Sequence, residues 1–267
     1  MPSSTNILFI SHGGGPMPLL GDAGHVEMVQ CLQDFALQIP KPSAILVVSA
    51  HWEAKHATVT SATAPELIYD YSGFPPESYA IKYPAPGAPD LADDIVQALT
   101  VAGIEAAKDA QRGWDHGVFV PLKIMYPEAD IPCVQLSLVQ GLNADTHVAL
   151  GQALQTLNHP GLLVIGSGFS FHNMRAFFAA ETPEIRQANL AFQQWLDDTC
   201  LSRELNEGER TKRFREWALA PAARFCHPRE EHLLPLHVCY GLAKRAADLG
   251  STPRILGKAS GMYLWRA

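Results

Sequence analysis

Long apolar runs are missing. No stretch reaches the ~18 consecutive apolar residues of a membrane-spanning helix, and the start, "MPSSTNILFISH", has neither the basic flank nor the cleavage site of a secretory leader. Blocks of lysine or arginine are missing too. The formal net charge is −7, and the densest basic run, "ERTKRFRE", alternates with acids and is expected to be a solvated helix face, so the electrostatic footprint of a nucleic-acid binder is absent. The five cysteines (Cys31, Cys133, Cys200, Cys226 and Cys239) include no CxxC pair, which excludes a thiolate zinc site of ordinary spacing and leaves free cytosolic thiols as the expectation. No Walker motif and no G-x-G-x-x-G fingerprint is present. "GSGFS" has Phe169 where a G-x-S-x-G elbow needs its serine, and "HGGGP" has no elbow to serve as an oxyanion loop. These absences leave a cytoplasmic protein, with neither nucleic acid nor membrane as a partner.

What is present is the material of a packed α/β fold. Of 267 residues, 47% are hydrophobic, enough for a substantial core. Four β-branched-rich runs, "NILFIS", "SAILVVSA", "PCVQLSLV" and "GLLVIGSG", are continuously apolar, as strands covered on both faces are. Helical spacing lies between them: Val26, Val29, Leu32, Phe35, Ala36 and Ile39, then Leu91, Ile95, Ala98 and Leu99 before a C-capping Gly103. "DTHVALGQALQTLN" opens on Asp145 as N-cap, and "TPEIRQANLAFQQWLDD" opens on Thr182 as cap with Pro183 and Glu184 behind it. The alternation predicts a single-domain α/β sandwich over residues 1–267, with a largely parallel central sheet and helices on both faces. The long Pro- and aromatic-rich segment "TAPELIYDYSGFPPESYAIKYPAPGAPD" is the length of loop that forms pocket walls. Asp70, Tyr71, Phe74 and Tyr83 within it suit a pocket wall, and equally the core or the surface.

Histidine placement carries the chemistry. His12 ends the first strand in "FISHGGGP", His51 ends the second in "VVSAHWE", and His172 follows the fourth in "GSGFSFHNM". A parallel sheet delivers such residues to one carboxyl edge, where α/β proteins bind ligands. Singly, each reads as a hydrogen-bonded loop histidine. Three together point to a shared site. His116 stands between glycines in "GWDHGVF", and His227 and His232 stand in "CHPREEHLLPLH", with His227 an understudy for a last ligand. Neutral imidazole suits Zn(II) and Fe(II), and catalytic metals commonly take three protein ligands and keep open positions. His25, His56, His147 and His159 lie in polar helix starts, caps or loops and read as surface residues, and His237 faces away from His232 on the last helix.

The blocks "SHGGGPMPLL", "PSAILVVSAHWE", "YDYSGFPPESYAIKYPAPGAPDLA", "GWDHGVFVPLKIMYPEADIPCVQLSL", "IGSGFSFHNM" and "PREEHLLPLHV", in this order over nearly the whole chain, resemble the class III extradiol ring-cleavage dioxygenases. The likeness is to the catalytic-subunit type, in the single-subunit DOPA 4,5-dioxygenase branch. It implies an α/β sandwich with a divalent metal at the sheet edge, a small aromatic diol and O2 as substrates, and a muconic semialdehyde as product. Residue by residue, it implies metal ligands at His12, His51 and His232, an active-site histidine at His172 that acts as acid–base or lies within reach of the metal, and a second pocket histidine at His116. Gly13 and Gly14 would bring the backbone close to the substrate, with Tyr71 and Phe74 beside it. The better-known iron members of the wider superfamily carry a carboxylate as third ligand where this chain has His232, next to Glu230 and Glu231. Fe(II) is the ion expected for ring cleavage, and a three-histidine set also suits Zn(II). A zinc hydrolase and a non-catalytic metal-binding protein on the same scaffold are the alternatives.

Overall fold

The computed structural model describes residues 5–267. The four apolar runs form strands β1 (Asn6–Ser11), β2 (Ala44–Ala54), β5 (Cys133–Val139) and β6 (Leu162–Gly168). They are joined by short strands that the hydrophobic pattern does not announce: β3 (Ala57–Thr60), β4 (Ala106–Asp109), β7 (Leu249–Ser251) and β10 (Met262–Trp265). The eight make one sheet in the order β4-β3-β5-β2-β6-β1-β10-β7. Its central four strands run parallel, and antiparallel pairings bring in β10, β7 and the β3–β4 end. Strands β8 (Arg254–Ile255) and β9 (Lys258–Ala259) pair separately as a small hairpin.

Helices cover both faces. They are α1 (Val26–Gln38), α2 (Pro89–Val101), α3 (His116–Met125), α4 (Ala144–Ala153), α5 (Met174–Phe178), α6 (Pro183–Leu201), α7 (Glu207–Arg215), α8 (Ala223–Cys226) and α9 (Leu234–Ala243). Strand alternation explains the layering: Ile45, Val47, Leu163 and Ile165 pack towards α1 and α3, whereas Leu46, Val48, Leu162 and Val164 pack towards α2, α4 and α9. A third cluster joins Ile7 and Phe9 of β1 to α6, α7 and α9. Thr182 caps α6 through its side chain, with Pro183 at the first turn as expected. The cap of α4 is Asn143 rather than Asp145: Asn143 accepts the Thr146 N–H, so the helix starts two residues before the position the acid would cap. Helix α7 is solvated except at Phe214 and at Arg210, whose buried guanidinium donates to the Thr199, Ser202 and Leu205 carbonyls. All five cysteines are free and buried. Among the described residues, no helix is long and apolar enough to cross a membrane.

Candidate metal centre

Sheet register sets the site. Ser11 pairs with Gly168 and Ser49 with Ser167, so His12, His51 and the loop carrying His172 leave β1, β2 and β6 at one edge. His51 does not end its strand, which continues to Ala54. Between Val48↔Leu136 and Glu53↔Leu138, β2 advances five residues while β5 advances two, and this bulge turns His51 out of the ladder. His232 arrives in the turn before α9. Its carbonyl accepts the Phe169 N–H at 2.8 Å and lies 2.1 Å from where a Cβ on Gly168 would sit, so the close approach of turn and strand requires glycine.

All five predicted histidines meet here. Ring centroids are 4.9 Å apart for His12–His51, 5.3 Å for His12–His232 and 4.9 Å for His51–His232. His116 packs 3.9 Å from His51, and His172 stacks 3.4 Å from His232. By donor-atom proximity they form two neighbouring triads, His12–His51–His116 and His172–Glu231–His232.

Three rings are held from behind by a hydrogen bond at Nδ1, and the other two have a carboxylate oxygen near Nδ1. Ser167 gives its hydroxyl hydrogen to the Gly117 carbonyl, so its oxygen accepts from His12 Nδ1 at 3.0 Å. His232 donates to Glu231 Oε1 at 3.0 Å, and the same oxygen lies 3.1 Å from His172 Nδ1. His116 donates to Asp70 Oδ1 at 2.9 Å, and the other Asp70 oxygen lies 3.5 Å from His51 Nδ1. Nε2 is thereby left as the lone-pair nitrogen of the hydrogen-bonded rings, the Asp70 carboxylate draws the His51 proton to Nδ1 in the same sense, and the Nε2 atoms of His12 and His51 face each other at 3.0 Å. Two such lone pairs repel unless a cation lies between them, so the residues fit a metal ion.

Electrostatics agrees. Burial, reinforced by the neighbouring imidazoles, holds His12 well below the ordinary histidine value. Burial and His116 take His51 down to about 4, and burial and His172 lower His232 strongly. These rings are neutral at neutral pH, the form a metal requires. Burial would raise the Glu231 carboxyl, but the imidazole N–H groups of His172 and His232 beside it override burial and keep Glu231 ionised. Asp70 is likewise held low, its desolvation outweighed by His116 and His51.

Other predicted residues have defined places. Gly13 takes a φ of +83°, and a Cβ there would meet Met28 Sδ at 2.7 Å and His25 Cδ2 at 2.8 Å; it allows the chain to bend tightly over α1. Gly14 donates its N–H to His25 Nε2 at 3.0 Å. Tyr71 lies 5.9 Å from His116 and 5.5 Å from Phe74, at the rim of the cluster.

Several expectations need correction. His25 and His147 are fully buried, not on the surface. His25 donates to Asp22 and receives from Gly14; His147 donates to the Asn143 carbonyl and receives from Val139 N–H. With both nitrogens paired, a neutral imidazole loses nothing by burial. His227 is no understudy ligand: its Nε2 donates to the Ser170 carbonyl, away from the cluster. Tyr83 is core, with its hydroxyl on the Tyr126 carbonyl. Sequence reasoning passed over Ser167, the anchoring roles of Asp70 and Glu231, and buried Asp115, which receives Ser49, Arg112 and Gln135 beneath His51. Only the position of Glu231 beside His232 gave any signal.

The fold and this centre define a class, an α/β protein with a histidine cluster able to hold a metal ion. The family described as the catalytic LigB subunit of aromatic ring-opening dioxygenase matches residues 7–256. The chain is 40% identical over 256 residues to a 4,5-DOPA dioxygenase extradiol of Beta vulgaris, covering 91% of this chain and 90% of that one. It is 37% identical to the dioxygenase tasH of Hapsidospora irregularis, covering 97% and 85%. A crystal structure of an uncharacterized Escherichia coli K12 protein superposes with a TM-score of 0.76 at 28% identity, covering 97% of this chain and 99% of that chain. The chain belongs to this dioxygenase family of the class III extradiol type.

Proposed function

We propose that the chain is an Fe(II)-dependent extradiol dioxygenase that opens a catechol ring, in DOPA or a related phenolic diol, with O2 to give a muconic semialdehyde. The observation that carries this reading is the convergence of five imidazoles on one centre, three of them hydrogen-bonded through Nδ1 and two with a carboxylate oxygen near Nδ1. Ring spacing supports His12, His51 and His232 as the ligands. With a metal–nitrogen bond of about 2.0–2.1 Å, rings at tetrahedral to octahedral angles have centroids about 4.5–5.3 Å apart and nitrogens about 2.9–3.3 Å apart. The three pairs, at 4.9, 5.3 and 4.9 Å, fall in that range, as does the 3.0 Å Nε2 contact. His51–His116 at 3.9 Å and His172–His232 at 3.4 Å are too close, which supports His116 and His172 as groups that face the substrate instead.

When bound, Fe(II) would supply open positions for the diol and O2 and a path for electrons between them, chemistry that Zn(II) in the same nitrogen set does not offer. His172, its Nδ1 3.1 Å from the Glu231 carboxylate, has Nε2 to take a diol proton and return it as the ring opens. Such acid–base help is worth about 10²–10⁴ in rate. His116, held by Asp70, orients the diol. The bend at Gly13 and Gly14, with Tyr71 and Phe74, walls the aromatic ring. Three neutral histidines are also a hydrolytic zinc set, which sustains the zinc-hydrolase reading as second choice.

Oxygen uptake with simultaneous absorbance separates the two. Fe(II)-loaded and Zn(II)-loaded protein are offered DOPA, catechol, protocatechuate and caffeate. Uptake stoichiometric with a yellow product in the iron sample alone is expected; no uptake with any diol, despite bound metal, rejects the oxygenase.

A further inference from the structure

Glu231 stands between His232 and His172, and its role rests on the proposed function, in which the first holds the metal and the second moves the proton. Its Oε1 accepts from Nδ1 of His232 at 3.0 Å and lies 3.1 Å from Nδ1 of His172, whose ring stacks on that of His232, centroids 3.4 Å apart and planes at 16°. Its buried Oε2 makes no hydrogen bond and lies 3.4 Å from Arg229 Nη1. Arg229 is itself gripped by both oxygens of Glu53, at 2.5 and 2.7 Å, and Glu53 follows His51 on β2 by two residues. The carboxylate therefore cannot rotate away from the histidines without leaving the guanidinium that faces its other side. An imidazole whose Nδ1 carries the proton has Nε2 as its lone-pair nitrogen, so one oxygen holds His232 by a hydrogen bond and, by its charge 3.1 Å away, draws the His172 proton to Nδ1, two rings with different tasks.

We propose that Glu231 is a positioning residue that fixes, through a single oxygen, both the metal ligand His232 and the acid–base group His172, so that one carboxylate sets metal retention and proton transfer together. A carboxylate that served only to neutralise Arg229 would leave both rings as they are when it is removed. Outer partners of metal-bound histidines typically contribute 10–100-fold in metal affinity.

The test uses Glu231→Gln, Glu231→Ala, Arg229→Gln and His172→Ala in the full chain, titrated with Co(II) and followed by visible absorbance. The tautomer of His172 is read in parallel from imidazole nitrogen shifts of Zn(II)-loaded protein. Both Glu231 variants are expected to bind Co(II) about 10–100-fold more weakly with an altered spectrum, and to lose the fixed Nδ1-protonated form of His172. His172→Ala should keep Co(II) affinity, and Arg229→Gln should weaken it less than Glu231→Gln does. Wild-type affinity in the Glu231 variants, an effect on only one of the two rings, or an Arg229→Gln loss equal to that of Glu231→Gln would overturn the shared role. If Glu231→Ala fails to fold, Glu231→Gln, which keeps the side-chain volume, decides. Neither readout involves a diol or O2, so a wild type that consumes no oxygen would reject the proposed activity and leave this test intact.

Discussion

His147 offers a quantitative check on how this protein buries neutral imidazole. Its Nδ1 donates to the Asn143 carbonyl at 2.7 Å and its Nε2 accepts from Val139 N–H at 3.2 Å, so a second ring proton would point at a donor. Burial is the main cause of a pKa lowered from 6.5 to about 4. The folded chain thus binds fewer protons than the unfolded chain below pH 6.5. Stability is full above that value, falls as pH drops towards 4, and levels off below. Linkage with these two values gives a loss of about 2 kcal/mol between pH 7.5 and pH 5 from this residue alone. His147→Gln keeps a donor and an acceptor but does not titrate. Urea denaturation of Zn(II)-loaded wild type and variant at both pH values should show the variant losing about 2 kcal/mol less. His227, lowered by burial to about 3, contributes equally to both proteins and cancels; His237, lowered to about 4 mainly by burial and slightly by His147, is relieved in the variant and so shifts the difference in the same direction. Equal losses in the two proteins would refute the account of His147.

Three other substitutions have defined outcomes. Ser167→Ala removes the acceptor of His12 Nδ1 and should weaken Zn(II) binding about 10–100-fold, measured by competition with a chromophoric chelator; an unchanged Kd would contradict the anchoring role. Gly117→Ala would place a Cβ 2.6 Å from Ser49 Oγ and 3.1 Å from His51 Cδ2, displacing a hydroxyl already bound to Asp115. It should cost about 1–3 kcal/mol in denaturation experiments, and a variant as stable as wild type would show that the space beneath His51 is not filled as described. His172→Ala should retain the metal and lose about 10²–10⁴ in turnover, while unchanged turnover would remove His172 from the chemistry.

The central strands were legible because four continuously apolar runs, such as "GLLVIGSG", can be buried only between two layers of helices. Short edge strands were not: "AAKD" of β4 has no apolar run, and "MYLW" of β10 pairs with β1 from the far end of the chain. The histidine cluster was legible because strand ends of a parallel sheet share an edge. What anchors it was not. Ser167 is one strand serine among several, and its meeting with His12 depends on the β1–β6 register. His25 and His147 were misjudged because polar neighbours along the chain look the same whether they face water or satisfy a buried ring. Departures from local pattern, such as the β2 bulge that turns His51 out of the ladder, fall at the site itself.

The central claim, ring opening by O2 at this centre, is tested most directly by supplying isotopically labelled O2 to Fe(II)-loaded protein with its best diol, trapping the aldehyde by reduction and weighing the product. Label in both new oxygens of a ring-opened product is predicted, and its absence from the His172→Ala sample should follow. Label in one oxygen or none, or an intact ring, would contradict the account.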